Sequence, residues 1–314
     1  MNIRLVLSGL AVSATLWAVA ATTYAQILVL NQGDNAIAEF TTSGATLNPA
    51  LISGLSSPQS MAIAGENLFV TSLNLTSDSG RIGKYTTSGV TVNPTLITVM
   101  GGPSGIAVSG KDLFVAVSNV ANESSRISKY TISGATVNPA LISGLGPVGD
   151  IEISGNKLFI ANVGLGGTIS EYTTSGTIVN PALVSGLTFL TDFAISGDKL
   201  FVTNLGTFPG TGTVSEYTLS GMLVNPALIS GLTFPTDIEV AGNDLFIVSA
   251  STGTIGKYTI SGETIDPALI SGLNDPTDIA VISAPVPDAS FTGMLLLLGL
   301  TATFGLKCWL HRPV

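Results

Sequence analysis

The chain has 314 residues, of which 45% are hydrophobic and only 10% are charged. A sequence this rich in apolar residues and this poor in charge does not belong to the disordered class, so it must bury a core. The formal net charge of −9 disfavours nucleic acids and anionic lipid surfaces as partners.

The first 25 residues have the pattern of a secretory signal peptide. Arg4 precedes an apolar run that includes Leu16 and Trp17, and small residues follow up to Ala25. A positive start, an apolar middle and a small-residue end predict cleavage between Ala25 and Gln26. We therefore expect the protein to be exported.

Residues 26–284 contain six copies of one repeat. An aromatic residue followed by Thr recurs every 41 to 45 residues, and Asn-Pro or Asp-Pro begins eight residues after each. The aromatic residues are Phe40, Tyr85, Tyr130, Tyr172, Tyr217 and Tyr258. Six copies at this period predict a propeller or a solenoid.

Each copy is predicted to form four short strands, which we call a, b, c and d. In the third complete copy they are 150–153, 158–161, 168–172 and 178–184, where β-branched and aromatic residues dominate between Gly, Asn and Ser turns. Strand d contains Pro in every copy. Because Pro cannot donate to a ladder, strand d is expected at the outer edge.

The strands with which the repeat region begins and ends distinguish a closed ring from an open solenoid. The repeat region begins with ILVL at 27–30, which matches strand b, and ends with DIAV at 278–281, which matches strand a. One blade is then assembled from both termini. We expect an all-β, six-bladed β-propeller with four-stranded antiparallel blades, closed by pairing of the N- and C-terminal strands.

The repeated DIAV, LFVTN and IxxY segments resemble NHL-type six-bladed propellers over residues 26–284. The resemblance implies the fold but no single activity, because such propellers include lactonases, lyases and pure binding scaffolds. In such a ring the d-to-a and b-to-c connections lie on one face. These connections vary in length and composition, so recognition is expected on that face.

Residues 285–314 form a tail with three parts. The motif Val286-Pro287-Asp288 precedes an apolar run at 291–306, and a short basic end closes the chain. The run approaches the ~20 residues that span a bilayer, so a membrane-spanning helix is expected. The tail resembles the VPD variant of PEP-CTERM bacterial sorting signals. This implies processing by an exosortase-type membrane peptidase, transient membrane anchoring, and delivery to the cell surface or an extracellular matrix. Members of this class are often encoded by bacteria that make extracellular polysaccharide.

The body between the two ends lacks three residue types. Its sequence has no Cys, His or Trp, because Cys308, His311, Trp17 and Trp309 all lie in the terminal segments. Disulfides, thiolate or imidazole metal sites and Ser-His or Cys-His nucleophiles are therefore excluded from the body. Eight basic and 20 acidic residues give residues 26–288 a net charge of −12, which disfavours nucleic acid further.

Acidic residues recur where strand a lines the predicted central channel. Four copies start strand a with Asp, and two carry Glu two positions later: Asp150, Asp192, Asp237, Asp278, Glu152 and Glu239. Such a cluster could bind Ca²⁺ or another divalent cation, which takes oxygen ligands. The preferred alternative is that each Asp caps its own d-to-a turn by accepting main-chain N–H bonds.

Phe189 and Phe234 stand three residues before Asp192 and Asp237. They form either an apolar contact patch or, as we prefer, fillers of the seam between blades.

Two functions remain open. The preferred one is a non-catalytic surface or matrix protein whose propeller face binds a partner or polysaccharide. The other is a metal-dependent lactonase-like hydrolase, in which Asp150, Glu152, Asp237 and Glu239 would hold the metal and a bound water would become acidic. The regularity of the acidic column favours the first, since lactonase ligands cannot be matched onto it residue by residue.

Overall fold

A computed structural model describes residues 25–74, 76–119, 124–163 and 166–282 of the protein. They form six four-stranded antiparallel sheets, the blades of a closed ring, which confirms the predicted fold. In chain order the strands are β1 (Gln26–Asn31), β2 (Ala36–Thr41), β3 (Thr46–Ile52), β4 (Pro58–Ala64), β5 (Asn67–Asn74), β6 (Ser79–Thr86), β7 (Thr91–Met100), β8 (Gly102–Ser109), β9 (Asp112–Asn119), β10 (Ser124–Thr131), β11 (Thr136–Leu145), β12 (Val148–Ser154), β13 (Lys157–Asn162), β14 (Gly167–Thr173), β15 (Ile178–Leu187), β16 (Leu190–Ser196), β17 (Lys199–Asn204), β18 (Gly212–Thr218), β19 (Leu223–Leu232), β20 (Asp237–Ala241), β21 (Asp244–Ser249), β22 (Thr254–Thr259), β23 (Thr264–Ile270) and β24 (Pro276–Ile282).

Five blades use consecutive strands and the sixth joins the two ends. The consecutive blades are β4–β7, β8–β11, β12–β15, β16–β19 and β20–β23, and their first strands contact one another around the channel. The sixth blade has the order β24-β1-β2-β3. Gln26 pairs with Ile282 and Leu28 pairs with Ala280, both in antiparallel register. The ring closure predicted from the phase of the ends is therefore confirmed.

The core lies in layers between neighbouring blades. The second strand of each consecutive blade carries a Phe that is at most 1% exposed: Phe69, Phe114, Phe159, Phe201 and Phe246. Phe159, for example, shares a core cluster with Phe193 and Leu200 of the next blade. Burial of one such side chain is worth roughly 1.5–3 kcal/mol. Each blade is thus held mainly by its neighbours.

Strand β1 contributes to the core layers on both sides of its blade. Residues 27–30 are all 0% exposed. Val29 shares a cluster with Phe246 of one neighbouring blade, while Leu28 shares a cluster with Leu68 of the other. Because neighbouring side chains of a strand point to opposite faces, four apolar residues in a row suit a strand packed on both faces.

The outermost strands β3, β7, β11, β15, β19 and β23 each contain the repeat proline. This position was predicted for strand d. An outer strand leaves one row of main-chain groups unpaired, and the missing N–H of proline hinders pairing of that edge with other molecules.

Four lysines are used within the blades. Each forms an ion pair of 2.8 Å between strands b and c: Lys129 with Asp112, Lys157 with Glu171, Lys199 with Glu216, and Lys257 with Asp244. Glu171 and Glu216 are buried, at 4% and 8% exposure. The nitrogen of Lys129 also lies 5.1 Å from the centre of the Phe114 ring. These positive charges therefore neutralise and cover blade residues away from the channel.

The predicted terminal elements lie outside the described residues. These are the signal peptide, the motif Val286-Pro287-Asp288 and the apolar run at 291–306. Gln26, the predicted first residue after cleavage, is the first residue of β1. No helix within the described ranges is long and apolar enough to cross a membrane.

Candidate functional site

The first strands of the six blades surround a central channel that holds two cavities. The larger cavity, of about 470 Å³, extends to Gly65 and Ile282 at the face of the a-to-b turns. The smaller, of about 170 Å³, lies towards the d-to-a connections and is lined by residues such as Thr191 and Thr277. We call the face that carries the d-to-a and b-to-c connections the variable-loop face. The opposite one is the turn face.

The four aspartates form the constriction between the two cavities. Asp150, Asp192, Asp237 and Asp278 line both cavities, together with Ser60. They belong to the first strands β12, β16, β20 and β24, which follow one another around the ring. The structure therefore brings together the whole predicted Asp column at one level of the channel.

Three aspartates bind the main chain of the next blade. Oδ2 of Asp192 accepts the N–H of Ile238 at 2.9 Å. In the same way Asp237 accepts from Ile279 at 2.7 Å, and Asp278 accepts from Met61 at 2.7 Å. These bonds run in one direction around the ring. They connect first strands that are not paired in a ladder, so the aspartates link neighbouring blades around the channel.

The first and last of the four aspartates around the channel have further contacts that differ from each other. Asp150 accepts from its own neighbour Ile151, and at the other end Asp278 is hydrogen-bonded by the side chain of Ser60. Between them the carboxyl groups of Asp192 and Asp237 form a hydrogen bond with each other. Two carboxyl groups can share such a bond when one of them holds a proton.

The predicted contacts of each Asp with its own main chain are only part of what the aspartates bind. The sequence led us to expect that each Asp accepts from its own d-to-a turn. Each Asp does accept from the main-chain N–H of the residue that follows it, at 2.9 Å for Asp237, and Oδ2 of Asp192, Asp237 and Asp278 also accepts from another blade. The physical reason is that the first strands converge on the channel, so a neighbour's N–H lies within reach of the short Asp side chain.

Glu152 and Glu239 line the larger cavity on the turn-face side of the aspartates. The four equivalent positions of the other blades are Ala62, Ala107, Ala194 and Ala280. Small residues leave space in the channel at this level. The two glutamates are thus the long side chains of their layer.

The channel holds carboxyl groups without a positive counterpart. Of the described residues lining either cavity, none is Lys or Arg. Burial raises the pKa of Glu152 to about 8, and the charge of Glu239 adds to this rise. Burial, followed by the charge of Asp237, raises the pKa of Glu239 to about 8 as well. The channel therefore favours protonated over charged carboxyl groups.

The aspartates follow the same trend. Burial is the main cause that raises the pKa of all four well above its usual range, and neighbouring carboxylates add to it. Main-chain hydrogen bonds lower the pKa of each but do not outweigh burial.

The carboxyl groups of the channel are partly occupied by contacts within the protein. Within the described ranges, no group of three or more Asp, Glu, His or Cys residues is placed so that it could hold a metal ion. In each of three aspartates, one carboxylate oxygen already accepts a hydrogen bond from a main-chain N–H group of another blade. The divalent-cation site proposed from the sequence stays a prediction, for which cation titration is the test.

The preferred interpretation of the two phenylalanines, that they fill the seam between blades, is wrong for Phe189, whereas the alternative of an apolar contact patch stays open. Its side chain is 53% exposed, so it does not fill a seam between blades. Phe234 is half-buried. Phe208, on the connection between β17 and β18, is 69% exposed. The variable-loop face thus presents aromatic rings to solvent, and the sequence signal that was overlooked is a Phe in a polar Gly-Thr loop.

Comparisons with known proteins give the fold and no closer relationship. No protein-family model matches the chain, and no curated protein matches it in sequence. A chain from the crystal structure of a nidogen/laminin complex superimposes with a TM-score of 0.65 at 15% identity, covering 83% of this chain and 100% of that one.

Two enzyme structures are similar to a lesser degree. A gluconolactonase from Xanthomonas campestris has a TM-score of 0.58 at 13% identity, covering 83% of this chain and 87% of its own. The PQQ-bound aldose sugar dehydrogenase from Streptomyces coelicolor has a TM-score of 0.53 at 15% identity, covering 74% and 83%. By its fold, this chain is a six-bladed β-propeller whose structural neighbours include binding proteins and enzymes.

Proposed function

We propose that the protein is an exported, non-catalytic β-propeller that binds a partner or polysaccharide outside the cell. The observation that carries this proposal is that the channel carboxylates bind the protein itself, whereas the loops expose aromatic rings to solvent. Oxygens of Asp192, Asp237 and Asp278 hold neighbouring blades together, whereas Phe189 and Phe208 are exposed on the variable-loop face. Solvent-exposed aromatic rings on a rigid scaffold are suited to recognition.

Export and sorting rest on the terminal sequences. In the proposal, residues 1–25 direct secretion and are removed before Gln26. The tail at 285–314 then holds the protein in the membrane until an exosortase-type peptidase acts near Val286-Pro287-Asp288. The product remains at the cell surface or in the extracellular matrix.

The test is expression of the full chain in a bacterium that encodes an exosortase, followed by fractionation and intact-mass measurement. We expect a protein that begins at Gln26, lacks the run at 291–306, and sediments with extracellular polysaccharide until that polysaccharide is digested. The matched control replaces Val286, Pro287 and Asp288 by Ala and should retain its tail in the membrane fraction. Recovery of the natural sequence in the cytoplasm, or free in the medium, would refute the proposal.

The second candidate is the metal-dependent lactonase-like hydrolase. Six carboxyl groups lining one channel favour it. Its test is thermal melting of residues 26–284 in EDTA and in millimolar Ca²⁺. A site that binds the native state adds ~2.7 kcal/mol at one hundred times Kd and would raise the Tm by a few degrees.

For the non-catalytic protein we expect no shift of the Tm with Ca²⁺. A clear shift that Asp237→Asn and Glu239→Gln abolish would favour the hydrolase and justify a search for lactone hydrolysis. Asp244→Asn is a suitable control, because Asp244 pairs with Lys257 away from the channel.

A further inference from the structure

A cavity of about 350 Å³ lies outside the channel, on the blade β16–β19. It is bounded by the connection before β16, by residues of β17 and β18, and by the connection between these two strands. Its size falls within the range of ligand pockets, about 300–1,000 Å³. We call it the blade pocket, and the role inferred for it rests on the proposed binding function.

The lining of the blade pocket is polar but uncharged. Of its twelve described residues, none is Asp, Glu, Lys or Arg. The polar side chains are the hydroxyl-bearing Thr188, Thr207, Thr211, Thr213, Ser215 and Tyr217 and the amide of Asn204. In a body with a net charge of −12, such a neutral cavity offers no counter-charge to an ion. Hydroxyl and amide groups both donate and accept hydrogen bonds, as the hydroxyls of a neutral ligand do.

Asn204 is loosely held and available to a ligand. Its Nδ2 lies 3.4 Å from Oγ1 of Thr213 and 3.3 Å from Oγ of Ser215. The equivalent Asn162 of the neighbouring blade makes tighter bonds, of 3.1 Å to Thr168 and 3.1 Å to Ser170. Long hydrogen bonds contribute little, so a ligand can replace those of Asn204 at small cost.

Aromatic rings border the blade pocket. Phe189 and Tyr217 both line it, and Phe189 is 53% exposed. Phe189 also has a φ of +56°, a left-handed conformation that is costly for a bulky residue. The same turn position is left-handed at Ser57, Phe234 and Asp275. The turn therefore imposes this backbone, and the blade β16–β19 places an exposed ring on it.

A second exposed ring follows on the adjoining loop. Phe208 lies between Thr207 and Thr211, which both line the pocket. Oγ1 of Thr211 accepts from the N–H of Phe208 at 3.0 Å and donates to its carbonyl oxygen at 2.7 Å. The loop that carries this ring is thus fixed by its own hydrogen bonds.

The neighbouring blade has the same framework without these additions. Asn162, Ser170 and Tyr172 correspond to Asn204, Ser215 and Tyr217. Pro147 stands at the place of Phe189, and the connection after β13 is shorter than the one after β17. The blade pocket of β16–β19 therefore differs from the same region of β12–β15, which has neither the ring nor the longer connection.

We propose that the blade pocket binds a neutral sugar unit of a polysaccharide. The ring of Phe189 stacks on the apolar C–H face of the sugar, which aromatic side chains favour. Oδ1 of Asn204, to which no described group donates, accepts from one sugar hydroxyl. Thr213 hydrogen-bonds another. Phe208 contacts the next unit of the chain.

The test is calorimetric titration of residues 26–284, which include both strands of the ring-closing pair, with neutral and charged oligosaccharides. The neutral probes are the hexamers of cello-, laminari-, manno-, xylo- and malto-oligosaccharides, and oligogalacturonate is the charged probe. We expect one neutral series to bind and the charged one not to bind. Phe189→Gly and Asn204→Ala should each weaken that binding by about tenfold or more. Asn162→Ala, the matched control in the neighbouring blade, should leave it unchanged.

Phe189→Gly keeps the test independent of folding. Glycine adopts a φ of +56° without strain, so this variant should melt at or above the temperature of the natural protein. Sugar binding that persists in both pocket variants would overturn the blade pocket but not the binding function. Binding of the charged probe alone, or of no probe, would also overturn the pocket. The binding function would then be decided by co-sedimentation with extracellular polysaccharide.

Discussion

The folded body should be more stable at about pH 5 than at about pH 8. Glu152 and Glu239 have pKa values raised from 4.5 to about 8 in the folded state. Between these values the folded protein binds more protons than the unfolded chain, so the free energy of unfolding falls as the pH rises. The fall should level off above about pH 8.

The expected size follows from about 1.4 kcal/mol for each pKa unit. Since both glutamates line a channel that is open to water, we expect less than the full value, on the order of 3 kcal/mol for the pair. Urea unfolding followed by circular dichroism at several pH values measures it. The four aspartates have pKa values raised in the same direction and add to the slope.

The double variant Glu152→Gln with Glu239→Gln is the control for this slope. Glutamine keeps the size of the side chain but does not titrate, so the variant should stay folded and lose the part of the pH dependence that the two glutamates contribute, while the part contributed by the four aspartates remains. Replacing Glu263, an exposed residue on the c-to-d turn, by Gln should change nothing. A stability that rises with pH in the natural protein would contradict the protonated channel.

Leu28→Asp should prevent the ring from folding cooperatively. Leu28 is 0% exposed, pairs with Glu39 and Ala280, and shares a core cluster with the neighbouring blade. An unpaired charge buried there costs several kcal/mol, which is comparable to the whole stability of a domain. Loss of the sigmoidal urea transition would be the measured result.

Two further variants calibrate this result. Leu47→Asp, on the outer strand β3 of the same blade and 49% exposed, should change the free energy of unfolding by no more than about 0.5 kcal/mol. Leu28→Ala should remain folded and lose about 2–5 kcal/mol. A Leu28→Asp protein with the natural transition midpoint would mean that β1 does not close the ring.

The fold could be predicted from the sequence because the six copies of the repeat can be aligned with one another. Six aromatic-Thr segments, each followed by Asn-Pro or Asp-Pro, divide the body into units of similar length, and Pro49 and its equivalents mark the outer strand of each. Ring closure followed from the mismatch between ILVL at one end and DIAV at the other. Both arguments use the order of residues along the chain, which a sequence contains in full.

The site was accessible only in part. The Asp column was predicted, since it is a position in the repeat. The partners of those carboxyl groups were not predicted, because Ile279, Ile238 and Met61 lie 42, 46 and 217 residues away from the aspartates they bind. Contacts between neighbouring first strands depend on how closely the blades converge, which no local pattern specifies.

The blade pocket could not be predicted for a different reason. Its framework residues Asn204, Ser215 and Tyr217 resemble those at equivalent positions of other blades, so the sequence gives no sign that they line a pocket. What distinguishes the pocket is the exposure of Phe189, and a Phe after Gly-Leu-Thr gives no indication of whether its ring is buried or exposed.

The pairing of Gln26 with Ile282 has a practical consequence for experiments on surfaces. Both residues stand where the other blades have their a-to-b turn, so the two ends leave the ring side by side on the turn face. A capture tag fused after residue 284 therefore tethers the protein by the side opposite Phe189 and Phe208. On a biosensor chip, that orientation displays the loops to a flowing analyte without obstruction by the support.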